Sequence, residues 1–290
     1  MPNEKLVFDV GAHKGEDTEF YLKKGFSVVA IEAVPEFCAQ IEERFRSFID
    51  RGRLTVLNVA VAKSPGTVDF FIDETVSVWG TANRDWVARN RSLGAGTTRR
   101  ITVAARTLGD IVREHGAPWY CKIDIEGNDF DALRSLAGSP DMPRFISIES
   151  EKRSWSRLMD EFLTFRDLGY CRYKIVDQSL VPLQTPPRPA CEGEDCEHVF
   201  AEGSSGLFGE DLPGQWLSLF EAVEAYRQIF RGYALNGDNG AFSGGKGVFS
   251  LFHALGRIQA KIARLRGQSG YRNPADILPP AGWYDTHAAR

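Results

Sequence analysis

The sequence predicts an α/β fold: a mainly parallel sheet of seven strands with helices on both faces. Three observations predict it. Short apolar runs alternate with helical patterns, a glycine-bearing turn follows the first run, and acidic residues end several of the runs. Such alternation is typical of βαβ units, which build parallel sheets. The length of 290 residues allows one large domain, or one domain with an elaborated end.

The first half of the chain opens with repeating strand and helix signals. The predicted strands span residues 6–10, 27–32 and 54–61, and the predicted helices span residues 16–24 and 35–49. Alternating apolar and polar residues from Gly66 to Ile72 predict an antiparallel excursion. The polar residues 75–100 then predict a loop, in which Trp79 and Trp86 either pack the loop down or stack on a substrate.

A second series of elements follows the loop. The predicted strands span residues 101–104, 119–125, 144–149 and 171–177, and the predicted helices span residues 107–115, 128–137 and 155–168. Four prolines between Pro182 and Pro189 break regular structure, and residues 199–201 predict a last edge strand. We expect a main domain over residues 1–203, with the sheet complete before residue 204.

The remaining residues, 204–290, predict a mostly helical extension packed on the main domain. A helix is predicted over 215–231, and a second over 248–266 has basic residues opposite its apolar face. That second helix packs on the sheet or on a twin subunit of a homo-oligomer, or it faces an anionic acceptor or a membrane. The segment between the two helices resembles a phosphate-binding loop, with Gly240, Gly245 and Lys246 at the expected spacing. It differs from that motif at Gly247, where the motif requires a Ser or Thr.

Composition excludes several classes of protein. Thirty-five basic against 39 acidic residues give a net charge of −4, which argues against a nucleic-acid-binding protein. No apolar run of about 18 residues predicts a transmembrane segment, and no signal-peptide pattern precedes the first strand, so we expect a cytoplasmic protein. Cys191, Cys196 and His198 lack a fourth ligand at a spacing typical of zinc sites.

The turn after the first strand has the pattern of a cofactor site. It reads Asp9-x-Gly11-x-x-x-Gly15, and the second strand ends at Glu32, about 20 residues after the first glycine, where an acidic residue accepts hydrogen bonds from ribose hydroxyls. His13 stands where the dinucleotide fingerprint has its middle glycine. Because a bulky residue there crowds a pyrophosphate, a cofactor without one fits better.

This turn, Glu32 and the later Lys122-x-Asp124-x-Glu126-Gly127 together resemble the FkbM family of S-adenosylmethionine (SAM) dependent methyltransferases, over roughly residues 5–180. The resemblance implies a Rossmann-like class I methyltransferase fold with SAM as cofactor. It also implies that the methyl acceptor is a hydroxyl on a sugar or another natural product, that is, a small molecule or glycan.

A SAM pocket needs a backbone that can approach the cofactor closely, an acceptor for hydrogen bonds from the ribose hydroxyls, and polar groups that bind the methionyl end. The expected cofactor-binding residues are Asp9, Gly11, His13, Gly15, Thr18, Glu32, Ala33, Asn58 and Ala60. The glycines let the backbone approach the cofactor, and the amino terminus of the first helix presents amides to its carboxylate. Asp9 orients the turn or holds the cofactor's ammonium through water.

The expected catalytic residues are three acids at strand ends: Asp124, Glu126 and Glu149. Carboxyl ends of parallel strands meet at one edge, where acids raise one another's pKa and one of them suits the role of base. They could instead hold a divalent cation such as Mg²⁺, or Glu126 and Gly127 could only shape a turn. Lys122 lies on the same strand face as Asp124 and is expected to pair with one of the acids.

Two alternatives to a methyltransferase stay open at this point. One is an NAD-dependent oxidoreductase, which the Gly-x-x-x-Gly turn and the lack of a Ser-Tyr-Lys pattern disfavour. The other is a non-catalytic protein of the same fold that binds a partner through its basic carboxyl-terminal helix. The acids at 124, 126 and 149 argue for an enzyme.

Overall fold

A computed structural model describes residues 1–75, 80–83, 86–88, 96–236 and 283–290. The chain divides into two compact units, Met1–Ile148 and Glu149–Arg290. Three features discussed above lie outside the described residues: Trp79, the glycine-rich segment that contains Gly240 and Lys246, and the helix predicted over 248–266.

The described strands form two sheets. They are β1 (Asn3–Val10), β2 (Ser27–Glu32), β3 (Leu54–Asn58), β4 (Ala60–Val61), β5 (Gly66–Asp73), β6 (Thr98–Arg106), β7 (Pro118–Ile123), β8 (Phe145–Glu149), β9 (Arg172–Asp177) and β10 (Tyr284–Ala289). The larger sheet has seven strands in the order β3-β2-β1-β7-β8-β10-β9, and the smaller one has the order β4-β6-β5. The predicted seven-stranded sheet is confirmed.

The larger sheet is mainly parallel, as predicted. β1 pairs in parallel with both β2 and β7, β2 pairs in parallel with β3, and β7 pairs in parallel with β8. β9 and β10 form an antiparallel pair. β2 and β3 lie on one side of β1, whereas β7, which comes later in the chain, lies on the other side. Such a reversal leaves a crevice beyond the carboxyl ends of β1 and β7, where open α/β sheets bind ligands.

Seven α-helices within the described residues alternate with these strands. They are α1 (Glu16–Lys23), α2 (Pro35–Arg44), α3 (Arg46–Ile49), α4 (Leu108–His115), α5 (Asp129–Ser135), α6 (Trp155–Asp167) and α7 (Leu219–Asn236). α4 and α6 begin with side-chain caps, in which Thr107 and Ser154 accept the amides of Asp110 and Arg157. The helix predicted over 35–49 is two helices, because the chain turns at Phe45.

The smaller sheet corrects two predicted strands. Residues 54–61 do not form one strand: β3 stays in the large sheet, while β4 pairs with the end of β6. The strand predicted over 101–104 is the longer β6, which pairs antiparallel with β5 along its whole length. Val34, Phe70 and Val103 are buried together in a core beside this sheet. The predicted antiparallel excursion is therefore confirmed, with β6 as its partner.

The seventh strand of the large sheet comes from the end of the chain. In β10, Tyr284 pairs with Asp177 and Ala289 pairs with Arg172. The edge strand predicted at 199–201 is wrong: these described residues form no strand, and the Val199 side chain is 86% exposed. The expectation that the sheet is complete before residue 204 is also wrong, because the extension contributes β10 as well as α7.

Each unit has its own core. In the first unit, the β1 side chains of Val7 and Phe8, which point to opposite faces of the sheet, are fully buried, as expected for a parallel strand covered on both faces. In the second unit, the ring of Phe162 lies 5.1 Å from that of Tyr173 and 5.7 Å from that of Tyr226, measured between centroids. Edge-to-face packing of this kind stabilises a core by about 0.5–1.5 kcal/mol per pair beyond the area buried.

Candidate active site

Two glycines with positive φ shape the turn after β1. Their φ angles are 82° for Gly11 and 83° for Gly15. A Cβ on Gly11 would overlap the carbonyl oxygen of Asp124, and one on Gly15 would lie 2.7 Å from the ring of Phe45. The sequence suggested that these glycines admit the cofactor. The structure shows that their missing side chains also admit the protein's own neighbouring elements. Their role in admitting the cofactor stays a prediction.

Glu32 joins the end of β2 to this turn. One carboxylate oxygen accepts the amide of His13 and the other accepts the amide of Val34, both at 2.8 Å. The side chain is buried, and burial raises the pKa of Glu32 although these two hydrogen bonds oppose the rise. Because a carboxylate has about four acceptor positions, each oxygen can accept one more hydrogen bond. The geometry is thus compatible with a ligand hydroxyl at each oxygen.

A buried lysine lies behind the turn. The Lys122 ammonium donates to the carbonyl oxygen of Gly11 at 2.9 Å and lies 3.3 Å from the Asp9 carboxylate. Asp17 and Asp124 lie 3.6 and 3.8 Å from it. Burial alone would lower the pKa of Lys122, but Asp9, Asp124 and Asp17 raise it well above its ordinary value. The predicted pairing of Lys122 is confirmed, and three acids share it.

The acids around Lys122 differ in exposure. The side chains of Asp9 and Asp17 are 0% and 6% exposed, whereas that of Asp124 is 39% exposed. Three carboxylates against one ammonium leave a formal surplus of negative charge. Asp124 is the member of this group whose side chain reaches solvent.

Other residues predicted to bind the cofactor hydrogen-bond to the protein's own groups in the structure. Thr18 is fully buried and donates its hydroxyl to Asp9 at 2.6 Å. The Asn58 amide donates to the carbonyl oxygens of Glu32 and Ala33, each at 3.1 Å. Ala60 is buried at the start of β4. These contacts give Thr18 and Asn58 positioning roles in the structure.

His13 occupies the turn in a left-handed conformation, with φ 49°, which is uncommon for a residue other than glycine. Its ring lies 3.2 Å from the Glu16 carboxylate and 4.7 Å from the ring of Phe37, centroid to centroid. Burial would raise the pKa of Glu16, but the hydrogen bonds from His13 and nearby amides lower it to about 2. His13 thus packs beside the turn, with one ring nitrogen engaged.

The turn after β7 contains a second strained residue. Glu126 has φ 51° and the adjacent Gly127 has φ 95°. The Asp129 carboxylate, in the first turn of α5, accepts the amides of Ile125 and Gly127 at 3.2 and 3.1 Å. A non-glycine residue in this conformation costs about 1–3 kcal/mol and persists only where its surroundings hold it.

Residues 80–83 and 86–88 supply those surroundings. Thr81 donates its hydroxyl to the carbonyl oxygen of Glu126 at 2.7 Å, and Asn83 donates to that of Gly127 at 3.2 Å. The Trp86 indole lies where a Cβ on Gly127 would be. This contact supports the packing interpretation of Trp86. Sequence reasoning missed Thr81 and Asn83, because residues in a loop with no periodicity carry no signal of their partners.

Glu149 belongs to the second unit. Its carboxylate pairs with the Lys152 ammonium at 2.5 Å, and both side chains are largely buried, at 13% and 6% exposed. The Lys152 ammonium also lies 5.8 Å from the ring centroid of Tyr233 and 5.6 Å from that of Trp283. The predicted gathering of Glu149 with Asp124 and Glu126 stays a prediction from the strand order.

The described residues contain no group of three or more His, Cys, Asp or Glu side chains arranged to hold a metal ion. Neither Cys191 nor Cys196 is in a disulfide bond. In the same part of the chain, no helix is long and apolar enough to cross a membrane.

Comparison with known proteins identifies the family. The methyltransferase FkbM domain matches residues 9–174, more than half of the chain. The chain belongs to the FkbM methyltransferase family. This membership replaces the oxidoreductase alternative, and it places the turn after β1, Glu32 and the turn after β7 inside the domain that defines the family. No curated protein matches the sequence.

Solved structures of methyltransferases are similar to this chain at low identity. An FkbM methyltransferase from Methylobacillus flagellatus KT is 20% identical over 59% of this chain and 39% of its own, with a TM-score of 0.38. A SAM-dependent methyltransferase from Geobacter sulfurreducens, solved with S-adenosyl-L-homocysteine, is 12% identical over 100% of this chain and 86% of its own, with a TM-score of 0.34. The chain spans less than half the length of the Methylobacillus protein that it matches.

Proposed function

We propose that this FkbM-family methyltransferase uses SAM and transfers the methyl group to a hydroxyl of a sugar or another natural product. The observation that carries the proposal is the arrangement of Glu32 and the Lys122 cluster. The Glu32 carboxylate has acceptor positions to spare for hydroxyl groups, and the Asp124 carboxylate of the cluster reaches solvent. SAM carries both a ribose and two positive groups, so it fits both features.

When bound, SAM supplies a methyl group on a positively charged sulfur. The chain supplies binding and proton transfer. Glu32 would accept hydrogen bonds from the ribose hydroxyls, and the Asp124 carboxylate would attract the ammonium of the methionyl end. Lys122 holds the carbonyl oxygen of Gly11 and so fixes the turn against β7. Positioning of this kind accounts for much of the barrier lowering in a displacement between two bound partners.

The acceptor hydroxyl has to lose its proton as it attacks, and the chain offers acids for this step. Glu126 is half-exposed, and Thr81 fixes the carbonyl oxygen of this strained residue. We assign Glu126 as the leading candidate for the base. Asp124 and Glu149 remain the other proposed catalytic residues. A positioned base contributes about 10²–10⁴-fold to the rate of a proton-transfer step.

The decisive experiment offers cell extract, purified protein and isotopically labelled SAM together, and follows labelled products by mass spectrometry. We expect label in a hydroxylated small molecule or glycan as a methyl ether. Calorimetric SAM binding without any labelled product from extracts of the source cells would favour the non-catalytic alternative. Failure to bind SAM at all would refute the proposal.

Glu126→Gln separates a direct base from the metal alternative. The variant keeps the size of the side chain and removes its charge, so we expect SAM binding near the wild-type level and turnover lowered by about 10²-fold or more. EDTA treatment of the wild type, followed by Mg²⁺, is the companion measurement. Activity that EDTA abolishes and Mg²⁺ restores indicates a metal, whereas unchanged activity indicates a direct base.

A further inference from the structure

The carboxylate of Asp129 binds the main chain on both sides of Glu126. Its two oxygens accept the amides of Ile125 and Gly127, at 3.2 and 3.1 Å. Asp129 is 5% exposed, so these charge-assisted hydrogen bonds are largely shielded from water. The residue between the two bonded amides is the one with the left-handed φ of 51°. One buried side chain therefore spans the strained residue.

These contacts differ from ordinary helix capping. A capping side chain precedes its helix and accepts amides of the first turn. Asp129 is instead the first residue of α5, and its hydrogen bonds reach back to amides that precede the helix. Asp129 thus connects the turn after β7 to the start of α5.

The peptide group between residues 126 and 127 is bound at both of its polar ends. Its amide, that of Gly127, donates to Asp129, and its carbonyl oxygen, that of Glu126, accepts the hydroxyl of Thr81. Thr81 is itself fixed to β5, because its amide and carbonyl pair with those of Phe71 at 3.0 and 2.9 Å. This peptide group cannot rotate without breaking a hydrogen bond at each end.

Fixed peptide groups determine the direction of the side chain between them. The left-handed conformation is disfavoured for residues with a Cβ atom, and it persists only where the surroundings hold it. Without its hydrogen bonds to Asp129, the turn would relax toward negative φ at residue 126. That relaxation would turn the Cα–Cβ bond of Glu126 to a different direction.

We propose that Asp129 is a positioning residue of this methyltransferase, which holds the turn so that the Glu126 carboxylate stays where it takes the proton of the acceptor hydroxyl. This proposal rests on the proposed function, in which Glu126 is the base. Asp129 acts through the main chain and need not touch SAM or the acceptor. Because a shift of about 1 Å in a reacting group costs about 10²-fold in rate, its contribution is to turnover and not to SAM affinity.

A thermal double-mutant cycle on the full chain tests the holding contact without any acceptor. Glycine adopts positive φ without strain, so Glu126→Gly should raise the melting temperature of the wild type by about 2 °C. In Asp129→Ala, where the strain is already released, the same change should raise it less or lower it. Equal shifts in the two backgrounds would overturn the proposal. If Asp129→Ala does not fold, Asp129→Asn replaces it, because its amide group keeps only one acceptor oxygen.

The labelled-SAM assay in cell extract measures the effect on turnover. We expect Asp129→Asn to lower the rate of label transfer at saturating SAM about tenfold or more, with the KM for SAM within about twofold of the wild type. In a Glu126→Gln background it should cause little further loss, since a displaced side chain matters only where it carries the base. A rate near that of the wild type, or a full additional loss in Glu126→Gln, would contradict a positioning role.

Asp131→Asn is the matched control, because Asp131 lies in the same first turn of α5 and carries the same charge. Acids at this end of a helix interact favourably with its amino terminus, so a general effect of charge would appear in both variants. We expect Asp131→Asn to keep the wild-type rate, and equal losses in the two variants would overturn the proposal. A wild type that neither binds SAM nor labels a product would count against the proposed function, whereas the thermal cycle decides the contact of Asp129 by itself.

Discussion

The α-carbon of Gly11 lies directly against the main-chain carbonyl of Asp124, so that a methyl group on the first would overlap the oxygen of the second. This contact joins the two sequence motifs of the family at the ends of β1 and β7. Lys122 also links the two motifs, because its ammonium donates a hydrogen bond to the Gly11 carbonyl oxygen and lies near Asp124. The glycine of the first motif is thus required by the second motif.

Gly11→Ala tests this contact. We expect the variant to lose about 1–3 kcal/mol through overpacking, in addition to the cost of positive φ for alanine. Gly138→Ala is the control, since Gly138 has φ 81° and open space where its Cβ would be. Urea denaturation measures both free energies of unfolding. Equal losses in the two variants would show that Gly11 is needed only for its backbone conformation.

Glu32→Ala should weaken SAM binding by about 1.5–3 kcal/mol for each charged hydrogen bond lost, which calorimetry measures. The variant also leaves the His13 and Val34 amides without their acceptor, so we expect about 1–3 kcal/mol less stability. Glu43→Ala, at an exposed position of α2, should leave both quantities unchanged. Unchanged SAM affinity in a folded Glu32→Ala protein would remove Glu32 from the cofactor site.

Lys122→Met should destabilise the fold by about 3–5 kcal/mol, because it leaves Asp9 and Asp17 buried beside each other without a positive partner. Adding Asp17→Asn should recover part of that loss, since the two residues are coupled. Lys63→Met on the surface should change stability by no more than about 0.5 kcal/mol. Additive losses in the double variant would contradict a shared network.

Glu16 predicts a pH dependence of stability. Its folded pKa of about 2 lies below its ordinary value of 4.5, so its stabilising contribution is complete above pH 4.5 and is lost as the pH falls toward 2. Glu16→Gln should therefore flatten the fall of the melting temperature with decreasing pH in this window. Glu43→Gln, on the exposed surface of α2, is the control and should follow the wild-type curve. Parallel curves for all three proteins would refute the role of Glu16.

Thr81→Val replaces the hydroxyl that bonds the Glu126 carbonyl oxygen with a methyl group of similar size. If Glu126 is the base, we expect kcat to fall about tenfold while SAM affinity stays constant, and Thr81→Ser to restore kcat. Thr67→Val, an exposed residue of β5, serves as the control. In a Glu126→Gln background, Thr81→Val should have little further effect. A full additional loss there would show that Thr81 acts independently of Glu126.

Local patterns predicted the half of the site nearest the amino terminus. β1, the glycine turn and the end of β2 follow one another within about thirty residues, and each has a signal that neighbouring residues carry. Lys122 was expected to pair because alternate residues of a strand share a face. The pattern did not show that Asp17 on α1 completes the cluster, because that contact depends on how α1 packs.

The sequence by itself determined the parallel sheet, the cofactor turn and the acids at the strand ends, since apolar periodicity and glycine spacing are local properties. Tertiary structure alone decided the seventh strand. β10 contains Asp285, Thr286 and His287, all buried, so it lacks the apolar run that marks a strand. Its pairing with β9 bridges more than a hundred residues, and only the folded chain provides partners for those polar groups. The same long-range packing brings Trp283 to Lys152, which no local pattern predicts.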